Sequence, residues 1–350
     1  MPKKKLKLAL IFGGRSAEHD ISVLSAKNVF SALDKNRYEI MIIGINKDGR
    51  WVLCENEADP IPTNIPTTGP NVVLLPGMSG QAMIDEDPCN IREIDLIFPI
   101  LHGPYGEDGT IQGMAKMAGV PCVGSDVLAS ALTMDKDTCK RVLRDAGLPI
   151  ARFRTCGTKE IPSWNDVSGD LGRTVFIKPA RLGSSVGISR AQSSTEYRSA
   201  VQLALSFDKK ILIEEFVVGR ELECGLLERR DGTIHASKVG EIITGRHHDF
   251  YSYEAKYLDQ AGAKICVPCE LPENLTMHIQ DTARSAFLAL NCSGLLRVDF
   301  FLREYGDLII NEVNSMPGFT DVSMFPLAFE AAGLSTTDIL DILIQRTLEH

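Results

Sequence analysis

The chain alternates short apolar runs with longer segments in which apolar residues recur every three or four positions. The first run, Lys7–Phe12, predicts a strand, and the two glycines after it predict a turn. The next segment predicts a helix, whose apolar face comprises Ile21, Leu24, Val29, Phe30 and Leu33. Tyr38–Ile45 and Ile94–Leu101 are further strand patterns. A strand, a glycine turn and a helix are typical of a doubly wound α/β unit, in which ligands collect at the carboxyl ends of parallel strands.

The second half of the chain predicts helices and strands without an internal repeat. Asp135–Ala146 has a helical pattern with an acid at its start, whereas Thr174–Ile177 and Lys210–Phe216 have strand patterns. Met277–Leu290 predicts an amphipathic helix, and the capping box Ser335–Asp338 predicts the start of the last one.

Two carboxylates and an amide are grouped on a predicted pair of strands, Leu296–Leu302 and Leu308–Val313. Asp299 lies on the first strand, whereas Glu312 and Asn314 lie two residues apart at the end of the second, so they share a face. If the strands pair as a hairpin, Asp299 joins them. Such oxygen ligands suit Mg²⁺, although a solvated hairpin with acidic residues would carry the same pattern.

A loop of small residues follows Lys178 and contains Gly183, Ser184, Ser185 and Gly187. Its amides and hydroxyls can surround a phosphate, while the lysine supplies a point charge. The order of a Walker A motif is absent, and a plain hairpin remains the alternative. Lys136 lies near a helix start, where a bound anion would offset its unfavourable position, but this pattern on its own favours a solvated lysine.

Other candidate residues occur at the ends of predicted elements. His102 follows a buried strand and precedes a glycine-rich turn, a usual position for small-molecule chemistry, although a capping role explains it as well. Glu18 lies in a first helical turn, which the helix dipole also favours. Glu214 and Glu221 flank the apolar pair Phe216 and Val217. A purine requires apolar walls and a ribose requires a carboxylate, but a charged edge strand would have the same residues.

The segment Thr244–Asp259 contains three tyrosines, a phenylalanine, two histidines and Lys256 in no helical or alternating order. A loop of this length and composition indicates a lid over a site. The adjacent histidines would point apart on an extended chain, which disfavours a metal site there.

Composition narrows the function further. The 350 residues carry a net charge of −9, which argues against nucleic acid or an anionic membrane as the main partner. Nine cysteines, an odd number, favour reduced thiols and a cytoplasmic location, and Cys266-Val-Pro-Cys269 has no second pair to complete a zinc site. The glycine turn GGRSAE is not a dinucleotide fingerprint, so a nicotinamide cofactor is excluded.

Six motifs together resemble the D-alanine–D-alanine ligase family of the ATP-grasp superfamily. They are GGRSAEHDIS, LHGPYGEDGTIQG, KPARLGSSVG, FYSYEAKY, RVDFF and NEVNSMPGFT, and they extend from residue 13 to about residue 320 in the family's order. The resemblance implies an α/β enzyme with three domains, namely an amino-terminal doubly wound domain (1–124), a central ATP-grasp domain (125–215) and a carboxy-terminal ATP-grasp domain (216–350).

The resemblance also implies a role for each candidate residue. ATP phosphates would contact Lys136, Lys178, Ser185 and Lys256, and the adenosine would contact Glu214, Phe216, Val217 and Glu221. Two Mg²⁺ ions, with Mn²⁺ as a substitute, would be held by Asp299, Glu312 and Asn314. Substrate and oxyanion contacts would come from Glu18, His102, Arg297, the Gly318 amide, Ser323 and Met324, and a lid latch would join Glu18, Ser184 and Tyr257.

The implied reaction is the ATP-dependent joining of two D-alanines through D-alanyl phosphate, for peptidoglycan synthesis in the cytoplasm by a homodimer. Related ligases that use D-lactate or D-serine differ in the lid, where this chain has Glu254-Ala-Lys256-Tyr257, similar to the dipeptide-forming pattern. Such a ligase and a non-catalytic ATP-binding module remain the alternatives.

Overall fold

The computed structural model describes residues 4–56, 58–244 and 263–349. A four-stranded sheet forms the amino-terminal end of the protein. Its elements are β1 (Leu6–Gly13), α1 (His19–Ala32), β2 (Tyr38–Ile45), β3 (Trp51–Leu53) and, further on, β7 (Leu96–Ile100). The strand order is β3-β2-β1-β7, and β1 is parallel to both β2 and β7. The parallel strands predicted from the apolar runs are therefore confirmed, and the loops that follow β1 and β7 lie at the same edge.

A small antiparallel sheet of β4 (Val72–Leu74), β5 (Gln81–Ile84) and β6 (Ile91–Glu93) was not apparent from the sequence. Its strands are only three or four residues long, too short to show a clear period. The preceding stretch 59–70, which is rich in proline and threonine, lacks helix and strand. The helix α2 (Thr110–Ala118) follows the His102 loop.

The central part begins with two helices, α3 (Val127–Met134) and α4 (Lys136–Asp145). The predicted acid at the start of α4 is its N-cap, because the carboxylate of Asp135 accepts a hydrogen bond from the Thr138 amide at 3.0 Å. An antiparallel sheet follows in the order β10-β9-β11-β8. Its elements are β8 (Phe153–Gly157), α5 (Trp164–Leu171), β9 (Val175–Pro179), β10 (Ser189–Ala191), α6 (Ser194–Phe207) and β11 (Lys210–Glu215).

The carboxy-terminal part holds a five-stranded antiparallel sheet in the order β14-β13-β12-β15-β16. Its elements are β12 (Arg220–Glu228), β13 (Ile234–Thr244), β14 (Ala263–Cys266), α7 (Glu273–Ala289), β15 (Leu295–Leu302) and β16 (Leu308–Asn314). The helix α7 begins four residues before the predicted start, directly after Pro272. Two further helices, α8 (Met324–Glu330) and α9 (Thr336–Thr347), complete the described chain, and α9 begins with the predicted capping box of Ser335 and Asp338.

One apolar core joins the two ends of the chain. Buried residues of β1, including Leu8 and Phe12, belong to the same cluster as Ile339 and Leu343 of α9. Hydrogen bonds across this contact run from the Tyr38 hydroxyl to Asp341 at 2.7 Å and from the Thr337 hydroxyl to the Ala32 carbonyl at 2.9 Å. The helices that follow β16 therefore pack against the amino-terminal sheet. Among the described residues, no helix is both long and apolar enough to cross a membrane.

Candidate active site

The predicted hairpin of β15 and β16 forms, and its register brings the candidate ligands together. The backbone pairs are Asp299 with Glu312 and Arg297 with Asn314. Residues directly opposite each other on antiparallel strands share a face, so all four side chains meet. The Asn314 amide donates to Asp299 Oδ2 at 3.0 Å. The register shifts between Asp299 and Phe300, directly after the pair of carboxylates.

Arg297 ties this hairpin to the neighbouring strand β12. Its Nε and Nη2 donate to the two oxygens of Asp299 at 2.7 Å each, and its Nε lies 2.9 Å from Oε2 of Glu223. Burial opposes the charge of Arg297, but Asp299 and Glu223 overcome it and raise its pKa well above the ordinary value. The sequence assigned Arg297 to an oxyanion and Asp299 to a metal ion, whereas here the two side chains pair with each other.

Oxygen donors dominate this face. Across residues 4–56, 58–244 and 263–349, no three or more His, Cys, Asp or Glu side chains form a group that could hold a metal ion. The predicted set differs from such a group, because its third member is the amide of Asn314. Two carboxylates and an amide are hard oxygen donors, which match Mg²⁺ in chemistry when water and phosphate complete its coordination.

A cavity of about 240 Å³ lies between the central and the carboxy-terminal antiparallel sheets. Its walls come from β9 and β11 on one side and from β12, β15 and β16 on the other. Among its lining residues are nine that the sequence singled out, namely Lys136, Lys178, Ser185, Glu214, Phe216, Val217, Glu221, Asp299 and Glu312. Fold and sequence thus bring the predicted phosphate, adenosine and metal groups to one space.

The apolar end of the cavity is built by aromatic rings. Phe216 packs against Phe176 with ring centroids 5.7 Å apart, and Phe216 remains 38% exposed. Val217 is buried beside it. A flat apolar surface of this kind suits a purine ring.

Lys178 reaches the cavity, but its ammonium group already contacts two side chains of the protein. Its Nζ lies 2.7 Å from Oε2 of Glu214 and 3.3 Å from the side-chain oxygen of Asn311. Lys140, which the sequence analysis missed, approaches the same Glu214 carboxylate at 3.2 Å. One available signal was its spacing, since Lys136 and Lys140 are four residues apart on α4 and so share a helix face.

The glycine-serine loop lies against the amino-terminal part of the protein. The Ser184 hydroxyl donates to Oε1 of Glu18, and a Cβ on Gly183 would come within 2.7 Å of the other Glu18 oxygen. Both Ser184 and Ser185 have left-handed backbones, with φ of 49° and 59°. The Lys136 ammonium donates to the Leu182 carbonyl at 2.5 Å and fixes the start of the loop. The other members of the predicted lid, Lys256 and Tyr257, lie outside the described residues, as do His247 and His248.

His102 is buried at the end of β7, and both of its ring nitrogens contact protein groups. Nδ1 lies 3.1 Å from the Met316 carbonyl and therefore carries the proton, while Nε2 lies 3.3 Å from the Ser25 hydroxyl. The same hydroxyl accepts a hydrogen bond from the Phe319 amide at 3.1 Å. Burial lowers the pKa of His102, which favours the neutral ring. His102 thus fastens the 316–319 loop to helix α1.

Glu107 is a second connection between these loops that the sequence analysis missed. Its carboxylate accepts hydrogen bonds from the amides of Gly103 at 2.7 Å and Met316 at 3.2 Å. Burial and the nearby Glu18 raise the pKa of Glu107 to about 8. The acid-containing loop after His102 was the available signal, but only the fold shows that it reaches Met316.

The residues expected near a second substrate are partly engaged in the protein. The Ser323 hydroxyl accepts from the Thr320 amide at 3.0 Å, and a Cβ on Gly318 would lie 2.8 Å from it. Met324 is buried, and a Cβ on Gly240 would approach its sulfur to 2.0 Å. The Met324 side chain therefore packs against β13, whereas Gly318 and Ser323 adjoin each other in the loop between β16 and α8.

Comparisons with known proteins cover nearly the same extent as the six motifs. The family models described as D-ala D-ala ligase N-terminus and D-ala D-ala ligase C-terminus match residues 7–125 and 142–345. The D-alanine--D-alanine ligase of Bradyrhizobium sp. (strain ORS 278) is 49% identical over an alignment of 356 positions, which covers 99% of this chain and 96% of that protein.

Two solved structures are similar over nearly their whole length. The D-alanine-D-alanine ligase from Coxiella burnetii has a TM-score of 0.86 and 32% identity, with 99% of this chain and 94% of that chain covered. The VanG D-Ala:D-Ser ligase from Enterococcus faecalis also has a TM-score of 0.86, with 33% identity and coverage of 98% and 100%.

Proposed function

This chain belongs to the D-alanine–D-alanine ligase family, and we propose that it joins two D-alanines at the expense of ATP. The products are D-Ala-D-Ala, ADP and phosphate, and the dipeptide supplies peptidoglycan synthesis. Its α/β fold is the ATP-grasp fold that the sequence predicts. The observation that carries the proposal is the cavity between two antiparallel sheets, which nine candidate residues line.

ATP occupies this cavity in the proposal, with the adenine against Phe216 and Val217 and the ribose near Glu221. Lys136, Lys178 and Ser185 face the phosphates, together with Lys256. A carboxylate is a poor acylating agent, so the first D-alanine attacks the γ-phosphate and forms D-alanyl phosphate. The positive side chains offset charge on the transferring phosphoryl group, which is the main need of such a reaction.

The face of β15 and β16 is the proposed metal site. Asp299, Glu312 and Asn314 would hold two Mg²⁺ ions, with Mn²⁺ as an alternative, and the bound metal would supply charge neutralisation at the phosphates. Their hard oxygen donors fit this ion. Arg297 then exchanges part of its contact with Asp299 for the developing oxyanion, which the Gly318 amide also meets.

The first D-alanine lies between Glu18, which takes its ammonium, and His102, which lies by its carboxylate. The amine of the second D-alanine lies near Ser323 and Met324 and attacks the acyl phosphate. Glu18, Ser184 and Tyr257 latch a lid that keeps water from this intermediate. The Ser184–Glu18 hydrogen bond supports the first half of that latch.

The proposal extends to the organisation of the protein. We take 1–124 as the substrate domain, 125–215 as the central domain and 216–350 as the domain with lid and metal site, because the strands of each major sheet fall within one of these ranges. A homodimer in the cytoplasm is the proposed assembly and location. All nine cysteines are free thiols, which supports a reducing compartment.

A ligase for D-serine or D-lactate is the second candidate, favoured by the similarity to the D-Ala:D-Ser ligase structure. A non-catalytic ATP-binding module is the third candidate. Such a module would not need the side chains that share one face of the β15–β16 hairpin, namely Arg297, Asp299, Glu312 and Asn314. The deciding experiment measures phosphate release with ATP and Mg²⁺ and identifies the products by mass.

D-Alanine, L-alanine and D-alanine with D-lactate or D-serine are the substrates to compare. Phosphate release with D-alanine but not L-alanine, accompanied by D-Ala-D-Ala, is the expected result. A mixed product in preference to D-Ala-D-Ala would move the chain to the variant ligases. ATP binding without phosphate release from any mixture would contradict a ligase.

A further inference from the structure

Three charged side chains meet at the side of the cavity. Glu214 and Lys140 are each 3% exposed, and the side chain of Lys178 is 12% exposed. Lys178 Nζ lies 2.7 Å from one Glu214 oxygen, and Lys140 Nζ lies 3.2 Å from the other. The Lys140 contact is an ion pair whose angles fall outside those of a hydrogen bond. One carboxylate therefore serves two lysines, and the cluster has a net charge of +1.

We propose that Lys140 is a positioning residue for the nucleotide, which keeps Glu214 ionised and in place when Lys178 turns from Glu214 to the phosphates. This inference rests on the proposed function, because it requires ATP in the cavity between the two sheets. Lys140 lines an adjoining space of about 40 Å³ and is not among the residues that line the cavity proposed for ATP. It therefore acts on the nucleotide through Glu214 and not by direct contact.

The need for Lys140 arises from the competition for Lys178. Burial alone would raise the pKa of Glu214, but Lys140 and Lys178 together lower it to about 2. A phosphate that draws Lys178 away removes one of these two cations. With Lys140 still present, the carboxylate keeps a partner; without it, the buried carboxylate would bind a proton instead.

The other charges around the cluster do not replace Lys140. Burial lowers the pKa of Lys178, but Glu214, Glu312 and Glu221 raise it overall. Glu312 and Glu221 are themselves anions, so they disfavour the negative charge on Glu214 and cannot compensate for it. Lys140 is the one cation besides Lys178 whose ion pair with Glu214 is seen among the described residues.

A role in stability alone does not account for this arrangement. Lys140 neighbours the apolar core residues Cys139 and Leu143 on α4. Replacing a buried ion pair by apolar groups of similar size is often neutral or stabilising, so packing does not require a lysine here. Lys140→Met keeps the length of the side chain and removes its charge.

Binding of a non-hydrolysable ATP analogue with Mg²⁺, followed by calorimetry, tests the proposal. Lys140→Met should weaken binding about 10- to 100-fold, the loss expected for a hydrogen-bonding or ionic partner of a charged group. Titrations in two buffers of different ionisation enthalpy should show an uptake of up to about one proton per site in excess of the wild type. The affinity of the variant should then improve as the pH falls. Lys116→Met, at an exposed position of α2, is the matched control and should behave as the wild type.

A double-mutant cycle separates this role from a structural one. In a Glu214→Gln background the carboxylate is gone, so Lys140→Met should add little further loss and no excess proton uptake. Lys140→Gln takes its place if the methionine variant does not fold. Wild-type affinity and proton count in the folded Lys140 variant, or an equal loss in the Glu214→Gln background, would overturn the inference. Failure of the wild type itself to bind the analogue would instead overturn the proposed function.

Discussion

Ser25 lies on helix α1, where its hydroxyl binds the loop that contains Gly318. Removing this hydroxyl therefore measures how strongly the helix holds the loop. The side chain is fully buried, and its hydroxyl accepts a hydrogen bond from the Phe319 amide at 3.1 Å and lies 3.3 Å from Nε2 of His102. Ser25→Ala would leave a buried N–H and a buried ring nitrogen without this partner. Each unsatisfied buried group costs about 1–3 kcal/mol, so we expect the two together to lower the free energy of unfolding by roughly 2–6 kcal/mol.

The control is the same substitution at Ser31, six residues further along the same helix. The Ser31 side chain is exposed, and its hydroxyl donates to the Lys27 carbonyl of its own helix at 2.9 Å, the one hydrogen bond that it makes within the described part of the chain. Ser31→Ala gains the same helix propensity as Ser25→Ala but uncovers no buried group, so its stability should change by less than about 0.5 kcal/mol.

Urea unfolding followed by circular dichroism measures both variants. If m is about 3 kcal/mol/M, a loss of 2 kcal/mol lowers the urea midpoint by roughly 0.7 M. Amide hydrogen exchange of a peptide that contains Phe319 provides a local measure, and it should accelerate in Ser25→Ala alone. If the two variants share one midpoint and Phe319 keeps its protection, then Ser25 is not the partner of this amide and the reasoning fails.

Three other predictions concern the site. Glu312→Gln should lose most turnover while folding normally, because a neutral amide cannot replace a metal-binding carboxylate. Glu304→Gln, on the exposed turn, is the control. Full activity in Glu312→Gln would mean that Glu312 is not part of the metal site. Tyr257→Phe should shift the product ratio towards hydroxy acids as nucleophiles, and an unchanged ratio would dismiss Tyr257 as a discriminator. The pKa of Glu107 is raised to about 8 from 4.5, so its contribution to stability is complete below about pH 4.5 and is lost as the pH rises through 8. Glu107→Gln should therefore flatten the pH dependence of urea unfolding over that range, whereas an unchanged slope would contradict the raised pKa.

The alternation of strand residues made the shared face of the three proposed metal ligands predictable. Asp299, Glu312 and Asn314 occupy positions whose direction follows from a period of two, so only the pairing of the strands had to be assumed. The N-cap at Asp135 was likewise a local feature, because its hydrogen bond reaches only to Thr138. Local periodicity and capping thus determined these parts of the site.

Contacts between distant segments could not be predicted in this way. Lys140 is four residues from Lys136, but the carboxylate that it pairs with is on β11. No local pattern predicts a contact between two segments so far apart in the sequence. Glu107 reaches Met316 for the same reason only in the folded protein. The packing of Met324 against Gly240 of β13 is likewise a contact between segments far apart in the sequence, and its expected place near a substrate stays a prediction.

The core shared by the chain's two ends has a consequence for how the protein is made. β1 and α1 leave the ribosome first, yet the surface of α9 that covers them is encoded more than 300 residues later, as the contact between Tyr38 and Asp341 shows. At about 5–20 residues per second, that interval lasts roughly 15–60 s. During this time Leu8, Phe12 and their neighbours lack part of their final cover. The nascent amino-terminal sheet therefore exposes apolar surface that chaperones would have to protect, and we expect a message cut short before α9 to release a chain prone to aggregation.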